Sequence, residues 1–174
     1  MSELHPLRPF AGVPALTIHA GITRCPEGLS LRYILSGDLS SLSIPSRRDA
    51  PARRDRLWEN TCFECFFSGQ DQPGYREINI SPSGDWNVYA FNDYRQGMRP
   101  EKAIQEVTVT VTTTDTISVA VFLPTAGIIS PGTPLKVGLC GVLREQSGQQ
   151  SYWALTHPAA QPDFHDRQGF VLDL

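Results

Sequence analysis

Two glutamates stand where an acid is least expected. Glu64 lies inside the run TCFECFFSG and Glu77 inside YREINI, each among apolar and aromatic residues. A carboxylate in such surroundings is costly unless it is bonded, protonated or turned toward a cleft, so each calls for a partner or a cavity. In an extended chain Thr61, Phe63, Cys65 and Phe67 share one face and Cys62, Glu64 and Phe66 the other, while Glu77 and Asn79 point away from Arg76, Ile78 and Ile80. A hairpin closed through 68–74 would bring Glu64 and Glu77 close enough to interact. Two adjacent carboxyls can serve as acid and base in sugar hydrolysis, or hold calcium together with Asn79 and a backbone carbonyl. Hydrogen bonding to loop backbone is their plainer role.

The segment 75–98, YREINISPSGDWNVYAFNDYRQGM, mixes polar groups and aromatics on a pattern that alternates like a half-buried strand pair. Aromatic walls with a few orienting polar groups are what a small-ligand site on a sheet needs. Each of the three tryptophans, Trp58, Trp86 and Trp153, has polar neighbours, and flat indole faces stack on sugar rings while acids and amides meet hydroxyls, although core packing is the ordinary role of any single tryptophan and Trp86 is the best exception. Trp86 follows the turn 81–85 and is expected near a sheet edge, where it could stack on a ligand with Tyr94 while Glu77, Asn79 and Arg95 meet hydroxyls. Glu64, Trp153, His157 and His165 complete the candidate ligand-binding set.

His157, Asp163 and His165 could ligate a metal, but their spacing matches no zinc pattern, and capping or loop locking is the ordinary role of such residues. Cys62 and Cys65 spell C-x-x-C within a strand-like run, where residues three apart face opposite ways, so structural thiols are expected. Neither a G-x-S-x-G elbow nor a phosphate-cradling glycine loop occurs. The chain therefore offers binding chemistry more readily than a nucleophile.

Period-two alternation must position these groups, since helical periodicity is almost absent. Leu29, Leu31, Tyr33 and Leu35 line one strand; Val107, Val109 and Val111 pass through a turn at Asp115 into Ile117, Val119, Val121 and Leu123; Leu135, Val137 and Leu139 form another. Most of the 14 glycines and 14 prolines fall between these runs, at turn positions such as Ser83-Gly84 and Pro131-Gly132. Many short strands with regular turns predict an all-β chain folded as a two-sheet antiparallel β-sandwich. A single domain over 1–174 is expected, with 39–56, rich in Ser, Pro and Arg, as a mobile loop and a short helical turn near 100–105.

At 174 residues the chain is long enough to bury roughly 70% of its unfolded surface without staples. A net charge of -3 argues against a nucleic-acid partner, and the arginines at 47, 48, 53, 54 and 56 are diluted by Asp49 and Asp55. The stretch MSELHPLRPFAGVPAL lacks the pattern of an export signal, and no segment approaches the ~20 apolar residues that cross a bilayer. A cytoplasmic protein with no membrane or nucleic-acid partner and four free thiols is the expectation.

The runs LWENTCFECFFSG, YREINISPSGDWNVYAFNDYRQGM and YWALTHPAAQPDFHDRQGF, in that order, resemble the bacterial DOMON-like domain proteins, relatives of the family 9 carbohydrate-binding modules. The resemblance spans roughly 57–170. It implies a β-sandwich whose relatives bind sugars or haem, with calcium often supporting the fold. In the sugar-binding branch Trp86, Asn79, Glu77 and Arg95 best suit the site, which is non-catalytic. The haem branch would need an iron-ligand pair, for which Met98 with His157 or His165 is available.

Overall fold

The computed structural model describes residues 3–12 and 15–174. Alternating apolar residues become strands throughout: β1 (His5–Pro9), β2 (Leu16–Cys25), β3 (Gly28–Gly37), β4 (Cys62–Gly69), β5 (Tyr75–Ile80), β6 (Trp86–Phe91), β7 (Arg99–Pro100), β8 (Thr108–Thr113), β9 (Ile117–Pro124), β10 (Leu135–Arg144), β11 (Gln150–Ala154) and β12 (Leu172–Asp173). Helix is confined, among the described residues, to single 3₁₀ turns at Leu57–Glu59 and Arg167–Gly169.

The strands pair antiparallel in the order β7-β6-β5-β4-β10-β11-β1-β2-β3-β9-β8, with β12 against β10. β1 is the corner of this curled sheet: His5–Leu7 pair with β2, whereas Arg8 and Pro9 pair with β11. The two halves fold face to face as a β-sandwich. Ile18, Leu31, Tyr33, Leu35, Val119 and Val121 from one half meet Phe63, Cys65, Ile78, Val88, Val137 and Leu139 from the other in the main core. The expected hairpin closes where Thr113 pairs with Ile117.

Three strands depart from simple alternation because both of their faces are covered. β4 and β6 are buried nearly from end to end, and so is β5 apart from Arg76. One face joins the main core. The other carries Phe66, Tyr75, Tyr89 and Phe91 with Cys140, Ala154 and Phe170 in a second apolar cluster, against which Trp58 and Phe164 pack. Cys62 and Cys65 point to opposite faces, and the four cysteines are free thiols.

Two expected stacking residues lie on the wrong face. Ile80 pairs with Trp86 across the 81–85 turn, which puts the indole on the side of Ile78 and Ile80 rather than of Glu77 and Asn79. Trp86 is 6% exposed in the main core, and the Arg53 guanidinium lies 4.5 Å from its ring centroid, in the place a ligand would take. Trp153 is also buried in that core, its Nε1 donating to Ser151 Oγ at 3.0 Å. Gly84, with φ of +93°, makes the 81–85 turn possible, and a Cβ there would lie 2.8 Å from Pro51 Cγ.

The segment 39–56, expected as a mobile loop, is tied down along its second half. Asp85, itself buried, accepts from the Ala52 N–H at 3.0 Å and pairs with Arg48 at 2.7 Å and Arg54 at 3.2 Å. Arg53 donates to Asn87 Oδ1 at 2.8 Å and to the Ile104 carbonyl. These arginines thus serve a buried acid, strand β6 and the segment that follows β7. The region expected as a helical turn is not helical: Pro100 pairs with Tyr89, and only a turn at 102–103 follows.

Removing the core indole leaves a cavity that the sandwich cannot close. Trp86→Ala is expected to lower unfolding free energy by about 3–5 kcal/mol, measured by urea denaturation. A loss below about 1 kcal/mol would contradict its assignment to the core.

Candidate functional site

The face of the sheet opposite the main core holds a cavity of about 370 Å³. This lies within the range of small-molecule pockets. Its floor carries Glu64 from β4 and Glu77 from β5, with Val142 of β10 beside them. Trp58, Phe91, Tyr152 and Phe164 line its walls, and Met98, Arg95 and His165 complete it from the loops. Register explains the floor. Glu64 pairs with Asn79 and Phe66 with Glu77, so the two acids are diagonal neighbours on one face.

The floor acids have unequal partners. Glu77 Oε1 accepts from Asn79 Nδ2 at 2.8 Å, so Asn79 stands behind the cavity as a support rather than in it. Glu64 is 3% exposed, and its Oε1 has no hydrogen-bond partner among the described residues. Burial, reinforced by Glu77, pushes the Glu64 carboxyl well above the usual carboxylate range. Burial also raises Glu77, to about 7, although the Asn79 hydrogen bond and the Arg95 charge pull against it.

His165 is held by an aromatic box, its ring centroid 5.0 Å from Phe66, 5.8 Å from Tyr75 and 5.1 Å from Phe91. Its Nδ1 is 2.7 Å from the Tyr75 hydroxyl, which also accepts from the Arg95 N–H at 3.1 Å. The phenol proton then points to Nδ1, leaving the ring proton on Nε2, which faces Glu77 Oε2 at 3.9 Å. Burial, followed by the Arg95 charge, depresses the imidazole to about 4 against the pull of Asp163. His165 is therefore neutral near pH 7.

A polar latch closes one side. Asp163 takes Tyr94 Oη at 2.5 Å and Arg95 Nη2 at 2.8 Å, joining the 92–96 turn to the C-terminal segment. Burial alone would raise Asp163, but the bonds from Tyr94 and Arg95 outweigh it and hold the carboxyl below its ordinary value. Arg95 adopts a left-handed backbone, φ 53°, to make this contact.

Of the residues singled out in the sequence, Trp58, Glu64, Glu77, Arg95, Met98 and His165 share the cavity. Tyr94 is exposed and acts through the latch. Trp86 and Trp153 belong to the core, and His157 lies elsewhere, its Nε2 2.8 Å from the Arg8 carbonyl and its ring against Phe10. Trp58 takes the place expected of Trp86. Phe91, Tyr152 and Phe164 were not singled out; only strand parity gives the first of them, since Phe91 shares a face with Asn87 and Tyr89 and so with Glu77.

Among the described residues no group of three or more His, Cys, Asp and Glu could hold a metal ion. Asp85 is already matched to two arginines, and Glu77 to Asn79. For iron, Met98 and His165 line the same cavity whereas His157 does not.

No protein-family model and no curated protein matches the sequence. Solved structures share the fold. A candidate carbohydrate-binding protein from Bacteroides uniformis aligns with a TM-score of 0.69 at 14% identity, covering 97% of this chain and 84% of that one. A family 9 carbohydrate-binding module from Caldicellulosiruptor kristjanssonii, in complex with glucose, aligns with a TM-score of 0.56 at 10% identity over 91% of this chain and 76% of its own. The same module with cellotriose gives 0.55 at 10% identity, over 91% and 75%. The likeness establishes the sandwich.

The acid floor makes stability fall with pH. Raised carboxyls favour the folded state below the ordinary carboxylate value, and that contribution is lost as pH rises through the folded value, about 7 for Glu77. His165 opposes this between about 4 and 6.5, where the unfolded imidazole binds the proton that the folded one refuses. Glu64→Gln, which cannot ionise, is expected to exceed the parent in stability by at least about 1 kcal/mol at pH 8, the gap shrinking toward pH 5. Urea midpoints at the two pH values check this, and a pH-independent gap would contradict it.

Proposed function

We propose that this protein is a non-catalytic module, of the DOMON-like type related to family 9 carbohydrate-binding modules, that binds a sugar or similar polyhydroxylated small molecule in the Glu64–Glu77 cavity. The observation that carries the reading is the pairing of an unpartnered buried carboxyl oxygen on Glu64 with the aromatic walls Trp58, Phe91, Tyr152 and Phe164. A ring stacked on the walls would place its hydroxyls over the floor, where Glu64 and Glu77 accept or donate and Arg95 donates. The known sugar complexes of the same fold support the ligand class. A cytoplasmic location without a nucleic-acid or membrane partner belongs to the same proposal.

Two alternatives have less support. Haem binding rests on Met98 and His165 sharing the cavity, yet Nδ1 of His165 is committed to Tyr75 and Nε2 faces Glu77. Sugar hydrolysis calls for carboxyls flanking the scissile bond, whereas Glu64 and Glu77 rise from neighbouring strands on a common floor. A Soret band after adding haemin would favour the first, and release of reducing ends from oligosaccharides the second.

Calorimetry with mono- and oligosaccharides at millimolar concentration is expected to give saturable heats. Trp58→Ala, which removes a wall outside the main core, is expected to weaken binding at least about tenfold while the fold persists by circular dichroism. Absence of binding to every sugar would overturn the proposal, as would full binding by the Trp58 variant.

A further inference from the structure

The floor has an electrostatic need that neutral hydroxyls leave unmet. Both acids are buried, and Glu64 Oε1 has no partner among the described residues. The nearby cations do not answer it. Arg95 is drawn to Asp163 at 2.8 Å and lies beside the Tyr94 ring, 5.7 Å from its centroid. Arg53 is engaged by Asn87 Oδ1, the Ile104 carbonyl and the Trp86 ring, and His165 is neutral near pH 7 because burial depresses it.

The other titratable groups bearing on the pair add negative charge or none. They are the thiols of Cys62 on β4 and Cys140 on β10 and the phenols of Tyr33, Tyr75 and Tyr89. Burial pushes each of them up, so they stay neutral. In the free protein a proton is what balances the acids. Around them stand Trp58, Phe91, Tyr152 and Phe164, whose ring faces attract cations as well as apolar surface.

We infer that the cavity selects a ligand carrying a primary ammonium group, an amino sugar, with the nitrogen set against Glu64 and Glu77 and the ring between the aromatic walls. This rests on the sugar-binding reading and narrows it. The ammonium replaces a proton that neutralises the acid pair: the carboxyl O–H bond breaks, the proton passes to solvent, and the carboxylate accepts N–H bonds from the ligand. Binding is therefore linked to proton release, whereas a neutral sugar leaves the proton where it is.

The test is titration calorimetry of the whole chain at pH 6.5 with D-glucosamine, D-glucose, N-acetyl-D-glucosamine and cyclohexylamine, each in phosphate and in imidazole buffer. Glucosamine is expected to bind at least about tenfold tighter than the two uncharged sugars, with a buffer-dependent heat that reports proton release. Glu64→Gln and Glu77→Gln are each expected to reduce that preference, and the buffer dependence of the parent protein decides the matter even where a variant does not fold. Equal or tighter binding of glucose overturns the ammonium inference while the sugar reading stands. Binding of cyclohexylamine with no sugar bound upholds ammonium recognition and overturns the sugar reading, and no binding by any of the four overturns both.

Discussion

Burial of β4, β5 and β6 on both faces is the constraint from which the rest of the molecule follows. A strand with one wet face can place any polar side chain outward at little cost, but these strands have no wet face. Arg76, ion-paired to Glu101, escapes this choice; the other side chains go either into the main core or under the second cluster. Parity assigns them: Phe63, Cys65, Ile78, Ile80, Trp86 and Val88 pack between the halves of the sandwich, while Glu64, Phe66, Glu77, Asn79, Tyr89 and Phe91 face the cavity side. Apart from the Glu64 carboxyl, polar groups on that side have partners: Asn79 donates to Glu77, and Asn87, Tyr89 and Asp55 bond to one another.

The cover over this second face is made largely of loops. The 3₁₀ turn Leu57–Glu59 brings Trp58 against Tyr89, with ring centroids 5.7 Å apart. The C-terminal segment brings Phe164, His165 and Phe170, and Asp163 fastens it to Tyr94 and Arg95. Sheet rigidity fixes the floor, while side-chain hydrogen bonds set the position of the walls. Such a division suits a binding site, because the walls can adjust without disturbing the register that holds the acids.

Fold and floor were legible in the sequence because both depend on period two. Alternation of Val and Thr around 107–111 and of Ile, Val and Leu around 117–123 gave the hairpin, and the burial of acids in apolar runs marked Glu64 and Glu77. Following a turn places Trp86 near a sheet edge without saying which face its indole takes, and the structure puts it in the core. Its parity was available: a turn that pairs Ile80 with Trp86 forces the indole onto the isoleucine side, where Arg53 then covers it. The arginine-rich segment was misread for a related reason. Composition shows surplus charge, but not that Asp85, alone in a turn, would gather Arg48 and Arg54 from a distant loop. Trp58, Tyr152 and Phe164 meet over the cavity only through tertiary folding, for which no local period exists.

Nothing in the sandwich itself requires an acid at position 64. The residue is flanked by Phe63 and Cys65 in sequence and pairs with Cys140 of β10 and Asn79 of β5, and an apolar side chain there would avoid the desolvation cost altogether. Solved structures with 10% to 14% identity keep the same architecture, so the fold is indifferent to most of its side chains. The cost is localised where it can be relieved: Glu64 lines the cavity beneath aromatic walls, and its unmatched oxygen faces no protein donor among the described residues. Under the proposed function, occupation of the cavity would supply the missing partner, making the same carboxyl a liability in the empty protein and a determinant of affinity in the bound one.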